Sequence, residues 1–106
     1  MPVVEVTAET FDAEVLESSL PVLLEFWAEW SGPCRFTGPI LDEFSAKYGD
    51  KVKVVRVNID NESEIATQCE AVSVPTFLVF VDGSVVEFFG GARPLEVLES
   101  ELANYL

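Results

Sequence analysis

Apolar runs of strand length alternate with amphipathic segments along this chain. Residues 3–6 are typical of a short strand, and residues 22–27 are almost continuously apolar, as in strands buried on both faces of a parallel sheet. Residues 52–59 form a second strand rich in β-branched side chains. A helical pattern between them, ending at Gly49, indicates that these two strands run parallel. The pattern predicts residues 22–27 as the central strand.

The second half of the chain contains a hairpin signal. Residues 76–81 and 84–89 are apolar runs separated by Asp82-Gly83, a dipeptide typical of a two-residue turn between antiparallel strands. Gly90-Gly91-Ala92 then interrupts the second run. We expect the two runs to pair as antiparallel strands.

Three further segments predict helices. The first carries Phe11, Val15 and Leu16 toward the core, and a short one runs from Asn61 through Cys69. The last begins with Pro94 as its first helical residue and continues to Leu106, with an apolar stripe at Leu95, Leu98, Leu102 and Tyr105. The order βαβαβαββα predicts one α/β domain with a mixed sheet over residues 1–106.

Composition narrows the classes of partner. The chain has 106 residues, 49% of them hydrophobic, and a formal net charge of −13 from six basic and nineteen acidic residues. Such a surface repels phosphate backbones and anionic lipid headgroups, so we expect neither nucleic acid nor membrane as a partner. With two cysteines and no histidine, a metal site is not expected. No signal peptide is visible in residues 1–5, which favours a cytoplasmic location.

The segment most informative about chemistry is Trp30-Ser31-Gly32-Pro33-Cys34, which joins the central strand to a helix. Backbone N–H groups at the first turn of a helix stabilise negative charge, so a thiol placed there loses its proton more easily than in water. A serine hydroxyl is far too weak an acid to supply that anion. The chain has no histidine to act as its base, so serine catalysis is set aside.

These residues resemble the thioredoxin family over nearly the whole chain. The family pattern Trp-Cys-Gly-Pro-Cys corresponds to residues 30–34, and its cis-proline loop corresponds to Val74-Pro75-Thr76. The family is also matched at Phe26-Trp27-Ala28, Pro39, Asn58-Ile59-Asp60 and Gly90-Gly91-Ala92. The resemblance implies a thioredoxin-like fold, with a central five-stranded mixed sheet flanked by four α-helices.

The resemblance also implies a mechanism, and the chain departs from it at one position. In the family the first cysteine attacks a substrate disulfide and the second resolves the mixed disulfide. Ser31 stands at the attacking position and Cys34 at the resolving one. We therefore expect dithiol turnover to be lost. Cys34 is then either a single thiol that forms mixed disulfides or a half-buried, protonated spectator.

An acidic residue lies inside the predicted central strand. Glu25 matches the family's buried aspartate, which accepts a proton from the resolving cysteine, and Arg56 matches a nearby lysine. Removing a carboxylate from water is costly unless it is neutralised or paired. We expect Arg56 to pair with Glu25 and hold it ionised. The alternative is that Glu25 points to solvent from the strand end.

By resemblance, a shallow apolar groove surrounds the site and binds extended peptide by strand addition. Its expected residues are Trp30, Gly32, Pro33, Val74, Pro75, Thr76, Gly91 and Ala92. The implied partners are proteins that carry disulfides or extended segments, together with thioredoxin reductase. No cofactor is implied, and a monomer is expected. We expect Trp27 to serve packing alone.

Three functions compete. The first is a general disulfide reductase in which Ser31 is an introduced substitution. The second is a module that binds peptides without electron transfer, and the third is a monothiol protein that works through Cys34 and glutathione. Cys69 is expected to pack against the sheet as a small apolar side chain, with a regulatory thiol as the alternative.

Overall fold

The most apolar run of the chain forms the middle of the sheet. The computed structural model describes residues 2–106. Its five strands are β1 (Val4–Glu5), β2 (Val22–Trp27), β3 (Lys53–Asn58), β4 (Thr76–Val81) and β5 (Ser84–Gly90), in the spatial order β1-β3-β2-β4-β5. Strand β3 is parallel to β1 and β2, while β4 is antiparallel to β2 and β5. The predicted central strand and both pairing directions are confirmed.

The hairpin between β4 and β5 turns at the expected dipeptide. Asp82 has φ 51° and Gly83 has φ 80°. Two successive residues with positive φ match the right-handed twist of the flanking strands, which is why such turns join hairpins so often. The short-range signal therefore located this turn correctly.

Four helices flank the sheet, and two of them differ from the sequence prediction. They are a π-helical segment (Asp12–Leu16), α1 (Gly32–Tyr48), α2 (Ser63–Gln68) and α3 (Leu95–Glu101), followed by a 3-10 turn at Ala103–Tyr105. The first is wider than an α-helix because the Glu17 N–H donates to the Asp12 carbonyl five residues back, at 2.9 Å.

The first and last helices of the chain differ from their predicted form. Leu16 is 37% exposed and does not enter the core, because neighbouring positions of a helix face different directions and Val15 takes the buried one. Pro94 caps α3 with extended backbone, φ −72° and ψ 167°, and is not its first helical residue. The last helix ends at Glu101 and tightens into the 3-10 turn, yet its apolar stripe still packs on the core.

The two faces of the sheet carry separate apolar clusters. One face, with Leu24, Phe26 and Phe80, is covered by the π-helical segment and α2. The opposite face, with Leu23 and Phe77, is covered by α1 and α3. Side chains alternate between the faces along a strand, so Glu25 shares the α1 side with Leu23. Within residues 2–106 no helix is long and apolar enough to cross a bilayer.

Candidate active site at the start of helix α1

Ser31 and Cys34 lie at the beginning of α1, as the sequence predicts. Ser31 is the N-cap residue with extended backbone, and its Oγ accepts a hydrogen bond from the Cys34 N–H at 3.3 Å. Serine is a preferred N-cap because its oxygen satisfies an N–H that has no partner within the helix. The oxygen of Ser31 therefore occupies the place where an anionic sulfur would receive the same stabilisation.

Both residues are recessed from the surface. Ser31 is 5% exposed and Cys34 only 2%, whereas Gly32 and Pro33 between them are exposed. Cys34 is a free thiol. The thiol of Cys34 is therefore far less accessible to a reagent than the residues that precede it in the first turn of α1.

The sheet register brings the other predicted groove segments to the same edge. Phe26, near the end of β2, lies opposite Thr76, which in turn lies opposite Gly90. The Gly91 N–H donates to the Pro75 carbonyl at 2.9 Å, and the Val74–Pro75 peptide bond is cis. The turns that follow β2 and β5 and the loop that precedes β4 thus meet at one end of the sheet.

The predicted groove residues divide by exposure. Pro75 and Thr76 are buried, and the Thr76 hydroxyl donates to the Ser73 carbonyl at 2.6 Å. Val74 is half-buried. The residues open to solvent are Trp30, Gly32, Pro33, Gly91 and Ala92.

Trp30 is held by Asp60, which the sequence matched to the family without a role. Its indole is 64% exposed, and the Nε1–H donates to Asp60 Oδ2 at 3.0 Å. The Asp60 N–H in turn donates to Asn58 Oδ1 at 2.8 Å. Asn58 ends β3 beside Trp27, so the parallel register indicated by the sequence could have located this contact.

Glu25 is fully buried between β3 and α1. Its exposure is 0%, so the alternative that it points to solvent is wrong. Arg56 Nε donates to Glu25 Oε1 at 2.8 Å, and the Thr37 hydroxyl donates to Oε2. Thr37 follows Cys34 by three residues, which places both on one face of α1. That spacing was the available signal for Thr37, and the sequence analysis missed it.

The electrostatic balance at Glu25 differs from the expectation. Burial raises the pKa of Glu25 above its ordinary value, and this effect outweighs the hydrogen bond from Thr37 and the charge and hydrogen bond of Arg56, which lower it. The expected pairing with Arg56 is present and favours the ionised form, but burial opposes it more strongly and sets the net direction of the pKa. A buried acid with a raised pKa is suited to take up and release a proton.

Arg56 also contacts a neighbour on each side. Its guanidinium lies 4.3 Å from the centroid of the Trp27 ring, a cation–π distance. The Trp27 Nε1–H donates to both carboxylate oxygens of Glu5, at 3.0 and 2.9 Å. Glu5, Arg56 and Glu25 lie in register across β1, β3 and β2. Trp27 therefore does more than pack, because it links Glu5 to Arg56.

A small cavity opens beside this group. Its volume is about 200 Å³, and its lining includes Trp27, Cys34, Arg35 and Arg56. A water molecule occupies about 30 Å³ in the liquid, so the cavity has room for several. Cys34 and Arg56 therefore border the same cavity.

Cys69 lies on the opposite side of the sheet. It is half-buried and packs against the apolar cluster that contains Phe80, as expected for a small apolar side chain. Burial raises the pKa of its thiol. Cys34 lies in the first turn of α1, and α1 covers the other face of the sheet. The sheet therefore separates the two free cysteines.

Comparison with known proteins agrees with this geometry. Residues 2–104 match the family described as Thioredoxin. The chain is 48% identical to Thioredoxin 1 of Synechococcus elongatus over 101 residues, covering 95% of this chain and 94% of that protein. It is 42% identical to Thioredoxin of Bacillus subtilis over 104 residues, covering 98% and 97%. It is also 42% identical to the chloroplastic M-type thioredoxin of Chlamydomonas reinhardtii over 101 residues, covering 95% and 72%. The chain belongs to the thioredoxin family of thiol–disulfide oxidoreductases.

Proposed function

We propose that this chain is a thioredoxin-type protein disulfide reductase in which serine at position 31 removes the attacking thiol, so that dithiol turnover is lost. The family acts on proteins that carry disulfides and is recharged by thioredoxin reductase. The observation that carries the proposal is the position of Ser31 Oγ at the N-cap of α1, where it accepts the Cys34 N–H. A hydroxyl at this position accepts the backbone hydrogen bond that would stabilise a thiolate, but the hydroxyl itself does not ionise.

The missing step can be written in terms of bonds. A thiolate at position 31 would attack one sulfur of the substrate disulfide, form a mixed disulfide and release one substrate thiolate. Cys34, after losing its proton, would then attack the sulfur at position 31, release the second substrate thiol and close a disulfide. Two electrons pass to the substrate. With Ser31 in place the first bond does not form, and Cys34 has no partner with which to close the cycle.

Glu25 supports the second half of this scheme. It is buried, bonded to Thr37 on the same helix face as Cys34, and its pKa is raised by burial. We assign it the role of proton acceptor for Cys34, with Arg56 as the residue that positions it. The position of Arg56 across from Glu25 in the β2–β3 register supports this assignment.

The experiment is reduction of insulin disulfides with dithiothreitol as the electron source, followed by turbidity. We expect the chain itself to give only the dithiothreitol background, and the Ser31→Cys variant to accelerate reduction clearly. Ser31→Ala is the matched control, because it changes the N-cap without supplying a thiol. Equal rates for the chain and the Ser31→Cys variant, both above background, would refute the proposal.

A second function, peptide binding without electron transfer, is favoured by one observation. The exposed groove residues, with Trp30 at 64% and the Gly91 turn open to solvent, leave a binding surface that does not need the thiol. The 2% exposure of Cys34 weighs against the third function, mixed disulfide formation with glutathione. Cytoplasmic location and a monomeric state stay predictions from the sequence.

A further inference from the structure

The hydroxyl of Thr37 lies between two hydrogen-bond acceptors in a buried part of the molecule. It donates to Glu25 Oε2, and its Oγ1 is also 3.1 Å from the carbonyl oxygen of Cys34. Thr37 is 1% exposed and Glu25 is 0% exposed, so water does not replace either partner. A hydroxyl carries a single hydrogen, and therefore it serves only one of these acceptors at a time.

The charge on Glu25 decides which acceptor receives that hydrogen. An ionised carboxylate only accepts, and a hydrogen bond to an ionised group is stronger than one to a neutral carbonyl. The hydroxyl of Thr37 then points to Glu25. A protonated Glu25 donates its own hydrogen to Thr37 Oγ1, and the hydroxyl hydrogen is free to turn to the Cys34 carbonyl. Uptake of one proton thus reverses a two-member chain of hydrogen bonds.

The other neighbours of Glu25 indicate that the proton is taken up on Oε2 and not on Oε1. Arg56 on β3 holds the other oxygen, Oε1, at 2.8 Å, and Glu5 on β1 adds a more distant negative charge. Strand β4 places the uncharged Phe77 opposite Glu25. Helix α1 contributes Thr37 and the thiol of Cys34 on its buried face. A proton on Oε2 therefore changes the hydrogen bond between Glu25 and Thr37 directly.

We propose that Thr37 is a positioning residue whose hydroxyl couples the protonation of Glu25 to the backbone of Cys34 at the start of α1. The inference deepens the proposed function, and it rests on that function only for the role given to the Cys34 thiol. The coupling itself concerns hydrogen bonds that exist in the chain with Ser31.

The test compares Thr37→Val, which keeps the shape but loses the hydroxyl, with Thr37→Ser, which keeps the hydroxyl. The carboxyl carbon of Glu25 and the carbonyl carbon of Cys34 are followed by NMR through a pH titration of the isotopically labelled protein. A hydrogen bond to a charged group contributes about 1.5–3 kcal/mol, and one pH unit corresponds to about 1.4 kcal/mol. Thr37→Val also removes the weaker hydrogen bond that protonated Glu25 donates to Oγ1, so only the difference between the two bonds shifts the titration. We therefore expect the Glu25 midpoint to rise by about one unit in Thr37→Val and to stay close to the parent value in Thr37→Ser.

The Cys34 carbonyl gives the second readout. It should show a step at the Glu25 midpoint in the parent chain and in Thr37→Ser, and no such step in Thr37→Val. An unchanged Glu25 midpoint in Thr37→Val, or a Cys34 step that survives without the hydroxyl, would overturn the proposal. If Thr37→Val does not fold, a Cys34 carbonyl without a step in the parent chain or in Thr37→Ser overturns it equally.

The test of Thr37 and the test of the proposed function can fail independently of each other. In the Ser31→Cys background, adding Thr37→Val should shift the pH profile of disulfide reduction upward, in the same direction as the Glu25 midpoint. If Ser31→Cys restores no reduction, the proposed function fails, while the two NMR titrations still decide the role of Thr37.

Discussion

Replacing Arg56 by methionine removes the ion pair from a fully buried carboxylate. The pair joins Arg56 Nε to Glu25 Oε1 at 2.8 Å, with 20% and 0% of the two side chains exposed. Removing one partner of such a pair leaves an uncompensated buried charge, which typically costs about 3–5 kcal/mol. Methionine fills a similar volume beside Trp27, so the lost charge dominates the effect.

The loss of stability in Arg56→Met has an upper limit, because Glu25 becomes neutral when it takes up a proton. The ordinary pKa of a glutamate is 4.5. Keeping it protonated at pH 7 costs about 1.4 kcal/mol for each unit above that value, which gives about 3.4 kcal/mol. At pH 5 the same cost is about 0.7 kcal/mol. Part of this cost is already present in the parent chain, whose own Glu25 pKa is raised. We therefore expect Arg56→Met to lower the free energy of unfolding by up to about 3 kcal/mol at pH 7 and by less than about 1 kcal/mol at pH 5.

The sign of this pH dependence follows from proton binding. Burial raises the folded-state pKa of Glu25, so between 4.5 and that raised value the folded state binds more protons than the unfolded state. Stability associated with Glu25 therefore falls as the pH rises through this window. Loss of Arg56 removes an influence that lowers the pKa, so the window extends to higher pH.

Urea unfolding at pH 7 and pH 5 measures the effect, and Lys53→Met on the same strand is the control. Lys53 Nζ lies 3.2 Å from Glu14 Oε2, but these side chains are 22% and 33% exposed. An ion pair in contact with water contributes about 0–1 kcal/mol. A loss of stability in Arg56→Met no larger than that in Lys53→Met, or equal at both pH values, would contradict this prediction.

Two further changes test the local geometry. Gly83→Ala should cost 1 kcal/mol or more, since Gly83 has φ +80° and a new Cβ would lie 3.1 Å from the Leu16 carbonyl oxygen; about 1 kcal/mol is the usual scale for such strain. Urea unfolding beside Gly32→Ala, whose Cβ would meet open space, checks this, and equal costs would contradict it. Ser31→Ala should lose about 1 kcal/mol because the Cys34 N–H loses its cap, whereas Ser31→Thr keeps the oxygen. Thermal unfolding of both variants measures the difference, and a stable Ser31→Ala would show that the cap contributes nothing.

Much of the scaffold was predictable because its signals are local. The continuous apolar run at residues 22–27 requires burial on both faces, which placed β2 at the centre of the sheet. Asp82-Gly83 supplied the two positive φ angles that a tight hairpin needs. Ser31 lies just before a helical pattern, so its place at the start of α1 also followed from neighbouring residues.

Other features depended on contacts between distant segments. The sequence suggested that Glu25 meets Arg56, but the net direction of the Glu25 pKa follows from its complete removal from water. Thr37 gave no signal beyond its spacing from Cys34, and its partner Glu25 lies twelve residues away on another element. The width of the first helix likewise was not visible in its apolar pattern.

By itself the sequence determined the element order, the central strand, the hairpin and the presence of a serine, Ser31, at the start of a helix. Only the tertiary structure decided the burial of Cys34, the hydrogen bonds of Glu25 and the link from Trp27 to Glu5. The reason is physical: backbone preference and apolar periodicity are properties of neighbouring residues, whereas desolvation and hydrogen-bond geometry are set by every element packed around a group.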